Sequence, residues 1–222
     1  RRYPLSTFER TFRKAEVNVV DVGGDSPLHW AAAQGNIEVV DSLLDAGATV
    51  DLANREGGTP LLAAVLSHSV EAAALLLRYG ADPNIKFRLR EDEPLETCLH
   101  LAASDGPLKL CKLLVSSGAN VNATAGSSCR TPLFDACSKQ RYEVAQFLIE
   151  SGASIGIMTD KKQFALRQLF STLPLPTRRV NVVHGIEFVA DALHQSIAAS
   201  AKLSSPREIE VANLSAEVEL KK

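Results

Sequence analysis

The chain has 222 residues, a formal net charge of -2 at pH 7, and 45% hydrophobic against 23% charged residues. That balance fits a folded chain long enough for one sizeable unit. It excludes the strongly basic character of a nucleic-acid binder, and no run of about 18 apolar residues is present to cross a bilayer. No signal-peptide pattern opens the sequence, and a start at Arg1-Arg2 without Met predicts a piece cut from a longer protein.

Residues 5–13 predict a first helix, with Leu5, Phe8 and Phe12 on one face. The stretch that organises the chain follows at 24–57, GDSPLHWAAAQGNIEVVDSLLDAGATVDLANREG. A turn leads into Ser26-Pro27-Leu28-His29, a small-residue helix follows, and Gly35-Asn36 breaks it. A second helix carries Ile37, Val39, Val40, Leu43 and Leu44 and stops at Gly47-Ala48.

The unit recurs. Its opening Ser/Thr returns at Ser26, Thr59, Thr97 and Thr131, spaced 33, 38 and 34 by subtraction. The helix-ending glycine returns at Gly47, Gly80, Gly118 and Gly152, again 33, 38 and 34 apart. Two markers in one register indicate a stacked-repeat protein.

These segments resemble the ankyrin repeat. SPLHWAAAQGN and LLDAGATVD carry the likeness in the first unit, and TPLLAA and LLLRYGADPN in the second. TCLHLAASDG and LLVSSGANVN carry it in the third, and TPLFDACSKQ and FLIESGAS in the fourth. The resemblance implies an all-α solenoid of helix-turn-helix units with β-turn fingers projecting sideways. It divides the chain into an N-terminal half-repeat or cap over 1–20 and repeats at about 21–53, 54–86, 87–124 and 125–157. A degenerate fifth repeat with a capping helix is expected over 161–203, and a polar tail, disordered or a short final helix, over 204–222. A cap is required because a terminal repeat otherwise exposes an apolar face.

Within the family pattern, His29 and His100 bond the turn hydroxyl and a neighbouring backbone group, a structural role rather than a catalytic or metal-binding one. Leu62 and Phe134 replace them, so those turns lack that bond. His68 and Gln140 replace the helix-breaking glycine and are expected at positive φ. The third finger is the main departure: five extra residues fall within 86–94, KFRLREDEP, alternating basic and apolar residues before turning acidic. Insertions in solenoids go to loops, often on the binding face, so Phe87 is expected exposed as an anchor. A solvated loop with internal salt bridges is the alternative.

Cys98, Cys111 and Cys137 fall on repeat positions and are expected buried and free, with Cys129 exposed in a turn; no C-x-x-C suggests zinc. Asn122 and Asn213 match glycosylation sequons, but the repeat itself explains Asn122. The expected compartment is the cytoplasm, with the nucleus as second choice. No G-x-S-x-G, H-E-x-x-H or G-x-x-x-x-G-K occurs. No catalytic residue, cofactor, metal or small-molecule substrate is therefore expected.

What remains is binding on a concave surface of fingers and first-helix faces. The register places finger tips at Asp25, Arg55, Glu56, Lys86, Phe87, Arg88, Arg90 and Arg130, and first-helix ends at Gln34, Leu66, Ser67, Asp105 and Lys139. Trp30 stands where the family usually has Leu, so burial in the core is its favoured reading and groove anchor its second. The expected function is protein–protein interaction, as the recruiting or scaffolding arm of a larger protein. The alternative is a regulatory arm acting on an enzyme or channel elsewhere in the chain. Nucleic-acid binding and membrane insertion are not expected.

Overall fold

The computed structural model describes residues 17–88, 95–126 and 129–154. The expected N-terminal helix, fifth repeat, capping helix and polar tail lie outside the described residues, as does Arg90.

Among the described residues eight helices form four antiparallel pairs: α1 (Pro27–Gln34) with α2 (Ile37–Asp45), α3 (Pro60–Leu66) with α4 (Val70–Arg78), α5 (Cys98–Ser104) with α6 (Leu108–Ser116), and α7 (Pro132–Ser138) with α8 (Tyr142–Glu150). The first helices stack into one layer and the second helices into another. Each first helix starts on an extended Ser or Thr. The Thr59 and Thr131 hydroxyls accept the backbone N–H three residues on, satisfying a group that the first turn leaves without an intrahelical partner. Ser26 and Thr97 form capping boxes with His29 and His100. Proline occupies the first turn of α1, α3 and α7, where its missing N–H is harmless.

The register also builds the core. The Leu three residues before the small-residue stretch is sealed in every unit (Leu28, Leu61, Leu99, Leu133), as is the inner Leu of each second helix (Leu43, Leu76, Leu114, Leu148). Each such burial is worth roughly 1.5–3 kcal/mol. Between them Ala31, Ala64, Ala102 and Ala136 keep the first helices thin enough to stack closely. Cys98, Cys111 and Cys137 are buried and free as expected, and Cys129 is exposed. Burial pushes the three buried thiols up to about 12, 11 and 12 respectively.

The turns between paired helices follow the expectation. Gly35 lies at φ 66°, and His68 and Gln140 adopt φ 56° and 59° in its place. The third turn differs: Asp105 ends α5 at φ -134°, and Gly106 presses so close that a Cβ there would sit 2.9 Å from Ala102 Cα.

Four fingers hang between the pairs, each closed by a backbone hydrogen bond across its stem. The closing residues are Asp21 and Asp25, Asn54 and Gly58, Phe87 and Glu96, and Ala125 and Arg130. The stems enclose steps of 4, 4, 9 and 5 residues by subtraction. The five-residue lengthening of the period therefore lies between Phe87 and Glu96. This corrects the expectation for Phe87. It occupies the stem position held by Asp21 and Asn54, only 2% exposed, and is a core residue rather than an anchor.

A second row of bonds links neighbouring units along the opposite edge. Asn18 Oδ1 accepts from Thr49 N at 2.8 Å, Asp51 Oδ2 from Asp82 N at 3.1 Å, Asn84 Oδ1 from Asn120 N at 2.7 Å and Asn122 Oδ1 from Ser154 N at 2.7 Å. The amides of Asn84 and Asn122 also donate to the carbonyls of Gly118 and Gly152. The Asn122 side chain is thus occupied by the stack.

Candidate interaction cleft

The two imidazoles sit in the first-helix turns. His29 Nε2 is 3.0 Å from the Gly58 carbonyl and His100 Nε2 is 3.1 Å from the Arg130 carbonyl. A carbonyl oxygen only accepts, so Nε2 carries the proton in each ring. Nδ1 is then the acceptor for the N–H of Ser26 at 3.0 Å and of Thr97 at 3.2 Å. Both nitrogens of each ring are engaged in tying one unit to the next finger. Burial holds His100 down to about 4, which keeps it neutral in this role.

An open cleft of ≈ 380 Å³ lies on the concave face of the first two units. Its floor is small and apolar: Ala33, Ala63, Leu62, Gly58 and Thr59. Trp30 rises from α1 and Leu66 from the end of α3, 54% and 50% exposed. Asp25, Asn54, Glu56, Ser67 and Arg88 complete the lining. The favoured reading of Trp30 as core is corrected by this geometry. The stacked first helices approach across alanines, an interface with no room for an indole, so the ring stands out on the concave side. Its Nε1–H donates to Asp21 Oδ2 at 3.2 Å. The backbone N–H of Asp25, with the indole and two glycine N–H groups, keeps the Asp21 carboxyl below its ordinary value, so the anchor stays charged.

Of the residues singled out from sequence, Asp25, Trp30, Glu56, Leu66, Ser67 and Arg88 meet in this cleft. Asp25 Oδ1 accepts from Asn54 Nδ2 at 2.8 Å, a bond between neighbouring finger stems. Gln34, Arg55, Asp105 and Lys139 are exposed but lie outside it. Lys86 reaches across to the Thr124 carbonyl at 3.2 Å. Arg130 corrects its expectation as a finger tip. It is a stem residue, half-buried, paired with Glu96, and its Nε faces Asp135 Oδ1 at 3.3 Å without the alignment of a hydrogen bond.

Two features of the last two units escape sequence reading. Asp135 is only 7% exposed, and burial, partly countered by Arg130, raises its carboxyl to about 7. Arg141 extends into the preceding unit, donating to the carbonyls of Ala102 at 2.8 Å, Ala103 at 3.0 Å and Gly106. It thereby satisfies the end of α5, whose last carbonyls have no intrahelical partner. Among the described residues no group of three His, Cys, Asp or Glu is placed to hold a metal ion, and no helix is long and apolar enough to cross a membrane.

The architecture defines a helical solenoid of paired helices and sideways fingers. A family model described as ankyrin repeats (3 copies) matches residues 3–87 and 88–159, and the chain belongs to that family. It is similar to the transient receptor potential cation channel subfamily A member 1 homolog of Caenorhabditis elegans, 31% identical over 161 residues, covering 72% of this chain and 13% of that protein. It is also similar to ankyrin repeat and SOCS box protein 3 of Homo sapiens, 37% identical over 110 residues (49% of this chain, 20% of that protein). A third relative is the nuclear factor NF-kappa-B p105 subunit of Gallus gallus, 34% identical over 144 residues (63% and 14%). The chain thus spans a fifth or less of the length of these relatives. Ankyrin repeats are in general protein-interaction modules, and no catalytic arrangement is evident among the described residues.

Proposed function

We propose that the concave cleft over the first two repeats grips a segment of a partner protein, and that the described repeats act as a non-catalytic recruiting arm. The observation that carries this is the pair Trp30 and Leu66. Two large apolar side chains stand half-exposed on opposite sides of one cleft, although each could have been replaced by the small residues found elsewhere in the register. Exposed apolar side chains grouped in a concavity are what an interaction site requires, and aromatic anchors of this kind dominate interface energetics.

The test is capture from an extract of the source cell by the wild-type chain, by a Trp30→Ala/Leu66→Ala variant, and by an outer-face control, Tyr79→Phe, which removes a hydroxyl bonded to Asp45. Loss of a captured protein from the cleft variant, with retention by the control, supports the assignment. Equal capture by all three rejects it. A regulatory arm within a longer chain is a second reading, supported by the likeness to a channel homolog. There the captured segment would lie in the same chain.

A further inference from the structure

We infer that the segment taken by this cleft presents an arginine beside an apolar residue; the inference rests on the cleft being the binding site. Three carboxylates stand around the indole: Asp21 bonded to its N–H, and Asp25 and Glu56 in the cleft lining. The cleft's own cation, Arg88, is already engaged, and Lys86 is turned to the Thr124 carbonyl. Among the described residues no cation forms a salt bridge with Asp25 or Glu56, so both carboxylates are open to an incoming one.

An exposed indole attracts a cation to its face, and more strongly where carboxylates add to the field. The planar guanidinium satisfies both at once, stacking on the ring while its N–H fork meets a carboxylate. Its methylene stem suits the alanine floor. Leu66, on the far wall, then receives the neighbouring apolar side chain. A purely apolar segment would leave Glu56 facing it unpaired, and an acidic one would be repelled.

A random peptide library is panned against the full chain, and the best binder is synthesised with arginine or with neutral citrulline in its place. Binding is followed by fluorescence of Trp30, the chain's single Trp, and by calorimetry for the Trp30 variants. The expected selection is enriched in arginine next to Leu, Ile or Phe. Citrulline weakens the wild-type interaction about tenfold, and Glu56→Gln about fivefold. Glu56→Arg shifts the selection toward acidic peptides. Selected peptides that need Trp30 and Leu66 but carry no cation overturn this inference and leave the binding site standing. Peptides indifferent to Trp30→Ala and Leu66→Ala, or no selection at all, overturn both.

Discussion

The concave face over the first two repeats and that over the last two share one register and end in opposite chemistry. Four residues after the opening Ser/Thr, the first repeat carries Trp30, 54% exposed, and the fourth carries Asp135, 7% exposed. Around Trp30 the fingers leave an open apolar cleft. Around Asp135, Arg130 and Glu96 close on one another, and Arg141 fills the carbonyl end of α5. The same backbone thus yields an available surface at one end and a buried, incompletely bonded polar cluster at the other. The family pattern fixes the scaffold; the variable position in each first helix decides whether its side chain stands exposed, as Trp30 does, or is buried, as Asp135 is.

The comparison breaks most readily at Arg141. In Arg141→Met, the carbonyls of Ala103 and Gly106 lose the Arg141 donor while Ala102 keeps the N–H of Gly106, an expected cost of about 3–4 kcal/mol. Urea denaturation measures the total, and hydrogen exchange should show α5 and α7 opening before α1. Equal loss of protection in α1 would mean that the two halves are not separately held.

The pH dependence of stability sharpens it next. Asp135 has its carboxyl raised to about 7 by burial, so its contribution is full below its unfolded value of 3.8 and is lost as pH rises through about 7. His100 is lowered to about 4 by burial, so its contribution is present above 6.5 and is lost as pH falls toward 4. Between pH 4 and 6.5 the two slopes oppose each other. Asp135→Asn removes the first, so stability should climb with pH across that window and exceed wild type at pH 8 by about 3 kcal/mol. A variant whose pH profile parallels the wild type would show that Asp135 does not titrate as its burial requires.

His29 gives a smaller effect. Leu62 shows that Leu fits this position of the register, so His29→Leu removes the bond to Gly58 without overfilling the site. The expected loss is about 1–2 kcal/mol in thermal or urea unfolding. The smallest changes are at the cleft. Trp30→Ala and Leu66→Ala should each cost under about 1 kcal/mol, because half-exposed side chains leave little cavity behind. A loss of the ~2–5 kcal/mol seen for buried large-to-small substitutions would make them core residues and remove the open surface from the comparison.

Most of this fold is written in the sequence twice, once in the opening Ser/Thr series and once in the glycine series. Paired helices, sealed leucines, buried thiols and the positive φ of His68 and Gln140 all follow from position in the unit. Trp30 and Phe87 are harder to read, for different reasons. Trp30 reads as core because the family usually carries Leu there, yet the alanine-lined interface cannot admit an indole. Phe87 reads as a loop anchor from its charged neighbours, yet counting 33 back through Asn54 to Asp21 puts it in a stem. Asp135 and Arg141 were out of reach: the bonds of Arg141 join residues 35 to 39 positions apart, and the state of Asp135 depends on burial that no local pattern reports.

The Phe87–Glu96 stem has a consequence for how such a molecule can change. Its two mutual backbone bonds, at 3.0 and 2.9 Å, clamp the finger at its base and restore the stem that the shorter fingers use. Five residues have been accommodated there, and α3 and α5 pack on each other less closely than the other neighbouring first helices do. The clamp makes the position the natural place for a cassette: a chain with a foreign segment spliced between Phe87 and Glu96 should unfold at the same urea concentration as the original.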